Sequence, residues 1–115
     1  MGVRLSFAGC VSLDAAAATG AGDSFRVDGC RTFGLQVTLG AGNPATAVVK
    51  LEGTLGTDET DANNAWFTLA TWDKTGNASG DIVFAVDKPV RKIRANCTTL
   101  DTGANKTATA RLSAA

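Results

Sequence analysis

The chain has 115 residues, with 11 basic and 11 acidic side chains and no histidine. This length suffices for one domain with its own core, and 44% hydrophobic with 19% charged residues argues against a disordered protein. A formal net charge of zero argues against general nucleic-acid binding, and the lack of histidine excludes serine–histidine–aspartate and cysteine–histidine catalysis.

The first part of the chain, residues 1–23, is expected to be an N-terminal arm or loop. It lacks the continuous apolar core of a signal peptide, so we expect a soluble protein made in the cytosol, without a membrane partner. The segments "VRLSF" and "SFRVD" are plausible short strands. The alanine-rich "DAAAATG" is the one suggestion of a helix, and it is too short to be stable alone in water.

From residue 31 onward the hydrophobic residues alternate with polar ones. Alternation with a period of two residues indicates strands that are buried on one face only. The positions that this pattern predicts to face inward are Phe33, Leu35, Val37 and Leu39, then Ala47, Val49, Leu51 and Leu55, then Ile82, Phe84 and Val86, then Ile93, Ala95 and Cys97, and finally Ala108, Ala110 and Leu112.

Glycine-, asparagine- and proline-containing segments separate these runs, as in "GAGN", "KTGNASG", "DKP" and "DTGAN". Short strands at this spacing, without helices between them, favour an all-β fold. We therefore predict an antiparallel β-sandwich or jelly roll of seven to eight strands, which forms a single domain over residues 1–115.

Two tryptophans lie in the run "AWFTLATW". If Phe67 and Leu69 point inward, Trp66 and Trp72 share the outward face, with only Thr68 and Ala70 between them. Paired indoles on a surface are typical of protein contacts, and they can also stack on sugar rings. The alternative left open is that a loop covers this face and buries both.

Charge is unevenly distributed along the chain. Residues 1–85 carry five basic and nine acidic side chains, whereas residues 86–115 carry six and two. The acidic side chains concentrate in the loop "GTDETDANN" (residues 56–64) and the basic ones in "KPVRKIR" (residues 88–94). We predict that these segments contribute to a protein interface, in which the acidic loop of one copy faces the basic strand of another. The charged residues of this predicted interface are Asp58, Glu59, Asp61, Arg91, Lys92 and Arg94.

No motif for catalysis or for a cofactor is present. The three cysteines have no C-x-x-C spacing, and the glycine-rich turns lack the offsets of phosphate-binding loops. The oxygen-rich loop 56–64 is either a solvated hairpin tip or a weak Ca²⁺ site, although it lacks the EF-hand glycine and glutamate. We expect no enzyme activity, no catalytic residue, no cofactor and no resident metal.

The order "ATGAGDSFRVDGCRTFGLQVTL", "AVVKLEGTL", "WFTLATWD", "KPVRKIRANCTTLDTG" and "TATARLSAA" resembles small β-sandwich virion proteins of tailed bacteriophages. The resemblance extends from Thr19 to the end of the chain, and its motifs are structural. In that group a short turn usually joins "LEG-S/T-L" to the tryptophan strand. Here the longer acidic segment "GTDETDANNA" stands in its place, so the geometry of that turn does not carry over.

The resemblance implies a virion structural protein, made in the host cytoplasm and located on the capsid surface. The first expectation is a capsid decoration protein that stabilises an HK97-type head, binds the major capsid protein and forms a homo-oligomer. The alternatives are a minor tail or host-adsorption component that contacts tail proteins, and a carbohydrate-binding module that uses Trp66 and Trp72.

Overall fold

The structure is a computed structural model that describes residues 7–115. Within this range the chain forms eight strands and one turn of 3-10 helix, Asp61–Asn63. The strands are β1 (Phe7–Ala16), β2 (Gly20–Arg26), β3 (Phe33–Leu39), β4 (Ala47–Thr54), β5 (Phe67–Asp73), β6 (Ile82–Ala85), β7 (Lys92–Leu100) and β8 (Ala108–Ala114). No helix of the described residues is long and apolar enough to cross a membrane.

The strands form two four-stranded antiparallel sheets that pack face to face. One sheet has the order β1-β8-β3-β6 and the other the order β2-β7-β4-β5. The first strand therefore pairs with the last, the second with the seventh, the third with the sixth, and the fourth with the fifth. This pairing is that of a jelly roll. The prediction of an antiparallel sandwich of seven to eight strands is confirmed.

The core lies between the two sheets, and the alternating residues of β3, β4, β7 and β8 fill it. Phe33, Leu35 and Val37 of β3 are fully buried, and so are Val49 and Leu51 of β4. Each such side chain contributes about 1.5–3 kcal/mol through burial. The inward positions predicted for β7 and β8 are also confirmed, since Ile93, Ala95, Cys97, Ala108, Ala110 and Leu112 are at most 1% exposed.

Strand β6 has the opposite orientation from the one predicted. Ile82, Phe84 and Val86 were expected to face inward, yet they are 48%, 63% and 58% exposed. The register with β3 explains this, because Ala85 lies opposite Phe33 and Val83 lies opposite Leu35. Directly opposed residues point to the same face of a sheet, so Val83 and Ala85 turn toward the core.

A bulge in β5 places the two tryptophans on opposite faces. Ala70 pairs with Leu51 and Thr68 pairs with Glu52, so Leu69 between them has no partner on β4. One extra residue reverses the alternation. The expectation that Trp66 and Trp72 share an outward face is therefore wrong, since Trp72 is 0% exposed and its Nε1 donates to the carbonyl oxygen of Asp81 at 3.2 Å.

The described part of segment 1–23 belongs to the sandwich. Residues 7–23 comprise β1, the turn after it and the first half of β2. The segment "DAAAATG" is the end of β1, the turn and the first residue of β2, so it is not helical. The pairing of β1 with β8 shifts register three times, and Ala15 has a positive φ of 45°. These irregularities interrupt the alternation, which explains why the sequence showed no strand pattern here. Residues 1–6 of the expected arm, and with them all but the last residue of the strand predicted at "VRLSF", lie outside the described residues.

Candidate functional site

The long β4–β5 loop, residues 55–66, folds back onto the outer face of the β2-β7-β4-β5 sheet. Lys92 of β7 anchors it: the Nζ atom donates to the carbonyl oxygen of Asp58 and to Oδ1 of Asp61, both at 3.0 Å. Lys92 is only 7% exposed. A buried ammonium group is costly unless it is paired, so these two bonds couple the loop conformation to β7.

A second set of contacts lies beside this anchor and centres on Arg94. Its Nε donates to Oε1 of Glu52 at 2.9 Å, and its guanidinium carbon lies 4.1 Å from the centre of the Trp66 ring. The Trp66 indole Nε1 donates to the carbonyl oxygen of Asp61 at 2.8 Å. Arg94 thus joins the sheet to the loop through an ion pair and a cation–π contact.

The electrostatics of the loop follow from these partners. Burial by itself raises the pKa of Asp61, but hydrogen bonds from Lys92 and Ser24 and the positive charges of Lys92 and Arg94 together outweigh it. The net effect is a pKa below the usual value for an aspartate. Asp61 is therefore a carboxylate at neutral pH, and its charge is balanced within the chain.

The predicted interface residues thus separate into three groups. Trp66, Asp61, Lys92 and Arg94 contact one another inside one chain. Trp72 lies in the core. The residues that remain exposed are Asp58, Glu59 and Arg91. The acidic loop and the basic strand therefore meet within a single copy, although they were expected to meet between copies; the role of the three exposed residues in an interface stays a prediction.

The two carboxylate oxygens of Asp58 accept hydrogen bonds from within the acidic loop. Oδ1 of Asp58 accepts from the Thr60 amide at 2.8 Å, and its Oδ2 accepts from the Asn63 side chain at 3.3 Å. Within residues 7–115, no group of three or more histidine, cysteine, aspartate or glutamate side chains is placed to hold a metal ion.

A sugar-stacking surface made from both indoles is likewise absent. Trp72 has no exposed surface, and the guanidinium of Arg94 covers one face of Trp66. Sugar rings bind to exposed aromatic faces, so the geometry does not favour a carbohydrate-binding module that uses these two residues.

One end of the sandwich carries features that sequence reasoning missed. Three loops meet there, residues 27–32, 55–66 and 86–91, and we call this region the loop end. Backbone bonds join loops 27–32 and 86–91: the Lys88 amide donates to the Arg31 carbonyl at 3.1 Å, and the Val27 amide donates to the Arg91 carbonyl at 2.8 Å. The Arg91 amide also donates at 2.9 Å to the carbonyl of Thr54, the last residue of β4. Between the loops lies an open cleft of about 520 Å³, lined by Asp28, Gly29, Cys30, Arg31, Leu55, Pro89, Val90 and Arg91.

The loop end also concentrates exposed hydrophobic side chains. Leu55 is 63% exposed and Val86 is 58% exposed, and both lie in its loops. Phe67 and Phe84 lie next to these loops on β5 and β6, and they are 46% and 63% exposed. The loops at the opposite end, residues 17–19, 40–46, 74–81 and 101–107, contain no exposed large hydrophobic residue, and Ile82 next to them on β6 is 48% exposed. Exposed hydrophobic side chains are therefore more numerous at the loop end. Leu55 was missed because the alternation of β4 predicted it to face inward.

Comparison with known proteins adds one relationship of fold. No family model matches the chain, and no curated protein matches it. Among solved structures, it is similar to the crystal structure of the SPBc2 prophage-derived protein YomS. The TM-score is 0.60 and the sequence identity is 10%, over 100% of this chain and 97% of that chain. At this identity the likeness shows a shared fold.

Proposed function

We propose that this chain is a structural protein of a bacteriophage virion, and specifically a decoration protein on the outer surface of the capsid. The observation that carries the proposal is the match of the whole fold to a prophage-derived protein of nearly the same extent. The resemblance of the sequence from Thr19 onward to small virion proteins of tailed phages supports the same proposal. In this role the protein is made in the host cytoplasm and binds the major capsid protein.

The architecture suits a protein that reinforces a shell. Eight strands pair in two sheets, and the Lys92 and Arg94 contacts fix the longest loop onto one of them. A binding surface that is already ordered loses little conformational entropy on docking. The proposed role requires neither catalysis nor a cofactor, and neither nucleic acid nor a membrane is a partner in it.

The loop end supplies a surface for contacts between neighbouring proteins on the shell. Exposed hydrophobic side chains concentrated in one region commonly mark surfaces where proteins bind one another. Leu55 and Val86 are such residues, and the charged groups of Arg31 and Arg91 flank the cleft beside Leu55. An apolar centre with a charged rim is the usual composition of a protein interface.

The proposal is tested by binding of the purified protein to empty, expanded capsids of the phage that encodes it. We expect saturation at a copy number related to the capsid symmetry, and a raised temperature of capsid disruption. The double variant Leu55→Ser, Val86→Ser should bind more weakly, because neighbouring copies on the shell would no longer support one another. Val11→Ser removes a 36% exposed valine from β1, away from the loop end, and serves as the matched control. A few copies per virion, all on the tail, would instead indicate a minor tail component.

A further inference from the structure

We propose that the loop end is a contact surface between two copies of this chain. In this contact the acidic tip, Asp58 and Glu59, of each copy faces the basic rim, Arg31, Lys88 and Arg91, of the other. The inference rests on the proposed function and names the surface through which copies of the chain contact one another. The association of two copies can be measured on the isolated protein.

The apolar part of the surface is large for one end of a small domain. Leu55, Phe67, Phe84 and Val86 are each about half exposed or more. Large hydrophobic side chains at this exposure present on the order of 100 Å² each to solvent. Association that covers these side chains removes apolar surface from water.

The acidic tip has no cationic partner in its own chain. Within residues 7–115, neither Asp58 nor Glu59 forms an ion pair, because Lys92 pairs with Asp61 and Arg94 pairs with Glu52. Both tip residues are exposed. Their negative charges are therefore available to a neighbouring molecule.

The basic rim is only loosely paired. The closest approach of Arg31 to Asp87 is 3.7 Å and that of Arg91 to Asp28 is 3.9 Å, with more than half of each arginine side chain exposed. Lys88 is exposed and forms no ion pair within the described residues. Exposed ion pairs of this length contribute little to stability. The side chains of the basic rim can therefore exchange these partners for a carboxylate of another copy at a small cost in free energy.

The loop that carries the acidic tip is held in place before any contact forms. The Lys92 ammonium binds the Asp58 carbonyl at 3.0 Å, and the Asn64 side chain bonds to both the amide and the carbonyl of Asp58. Gly56 lies against Asn64, where a Cβ atom would collide with the asparagine side chain. The position of the tip is therefore fixed, which lowers the entropy lost on association.

A second copy is the occupant that matches this surface. Acidic tip, basic rim and apolar centre all lie at the same end, so the surface is complementary to itself. Two copies related by a two-fold axis place each tip against the other rim. The formal charge of the chain is zero, so two copies have no net repulsion to overcome. A partner that was uniformly basic or acidic would satisfy only one of the two charged groups.

The test is sedimentation equilibrium of the wild type and of charge-reversed variants. The 11.7 kDa wild type should show a concentration-dependent mass above that of a monomer, which decreases as salt is raised. Glu59→Arg and Arg91→Glu should each weaken association by about tenfold or more, because each places like charges together. An equimolar mixture of the two single variants should regain association, because in the mixed pair each tip faces a rim residue of opposite charge.

Apolar substitution gives a second readout. The double variant Leu55→Ser, Val86→Ser should remain monomeric, while Val11→Ser should associate like the wild type. Circular dichroism of each variant checks that the sandwich is folded.

The inference is overturned if the wild type is monomeric up to about 1 mM, the range of very weak binding. It is also overturned if the mixture of charge variants fails to associate, or if the apolar double variant associates as the wild type does. A monomeric protein that still saturates capsids would contradict this inference alone. A dimer that does not bind capsids would contradict the proposed function alone.

Discussion

The ammonium of Lys92 lies 3.0 Å from the carboxylate of Asp61, and Lys92 is 7% exposed. This pair joins the acid-rich first part of the chain to the base-rich last part inside one molecule. It replaces a contact that the sequence suggested would form between molecules. The conformation of the β4–β5 loop, and with it the position of the acidic tip, depends on this ion pair.

Replacement of Lys92 by methionine should destabilise the protein. The variant removes the charged donor, so Asp61 keeps only the Ser24 hydroxyl and the Asp58 carbonyl keeps only the Asn64 amide. We expect a loss of about 1–3 kcal/mol, below the value for a fully buried pair because Asp61 is partly exposed. Urea unfolding measures it. Lys50→Met on the same sheet face is the control and should change stability by less than about 0.5 kcal/mol, because Lys50 forms no ion pair within residues 7–115. Equal losses in both variants would contradict the assignment.

Acidification should weaken the same loop. The pKa of Asp61 in the folded protein is lowered from its ordinary value of 3.8. Asp61 therefore stabilises the fold at pH values above 3.8, and this stabilisation is lost as the pH falls through the folded-state pKa. Unfolding midpoints measured from pH 5 downward should fall more steeply in the wild type than in Asp61→Asn. A parallel decrease in both proteins would show that Asp61 does not contribute.

Asp101 provides an independent titration at the opposite end of the sandwich. The Lys106 ammonium, 2.8 Å away, is the main cause that lowers the pKa of Asp101 to about 2. Its contribution should disappear as the pH falls from the ordinary value of 3.8 to about 2. NMR titration of the side-chain carboxyl checks this, and Lys106→Met should return the pKa toward its ordinary value. An unchanged pKa in Lys106→Met would contradict the cause.

The two tryptophans should respond differently to truncation. Trp72→Ala removes a fully buried ring and should cost about 3–5 kcal/mol. Trp66→Ala removes one cation–π contact and one hydrogen bond, and should cost about 1–2 kcal/mol. Chemical denaturation followed by circular dichroism gives both values. A larger loss for Trp66 than for Trp72 would contradict the assignment of Trp72 to the core.

Two phenylalanines on neighbouring strands provide a further comparison. Phe33 of β3 is 0% exposed, so Phe33→Ala should cost about 3–5 kcal/mol of unfolding free energy. Phe84 of β6 is 63% exposed, so Phe84→Ala should cost less than about 1 kcal/mol. Thermal unfolding of both variants checks the orientation of β6. Similar losses would mean that β6 faces the core with Phe84.

The fold class could be predicted from the sequence because apolar and polar residues alternate along β3, β4 and β8 and along β7 as far as Cys97. Local alternation does not predict which side chains face the core where the pairing with a neighbouring strand decides it. Nothing within β6 shows that Ala85 pairs with Phe33, and nothing within β5 shows that Leu69 is the extra residue of a bulge. The orientation of Phe84 and Trp72 follows from these long-range pairings, so it could not be obtained from local alternation.

The candidate site shows the same limit. The charged residues predicted for an interface cluster in two segments of the chain, whereas Glu52, the partner of Arg94, lies in neither. Whether Asp61 meets Lys92 of its own chain or of another depends on how the loop folds back over β7, and the sequence contains no local signal for that. The cleft could not be predicted either, since Leu55 continues the alternation of β4 and yet lies beyond the end of the strand.

The most direct test of the account is an electron-microscopy map of expanded capsids saturated with the purified protein. The account predicts density for the jelly roll on the outer capsid surface at symmetry-related positions, with the loop ends of neighbouring copies in contact. Absence of the protein from the capsid surface, or its presence only at the tail, would contradict the account.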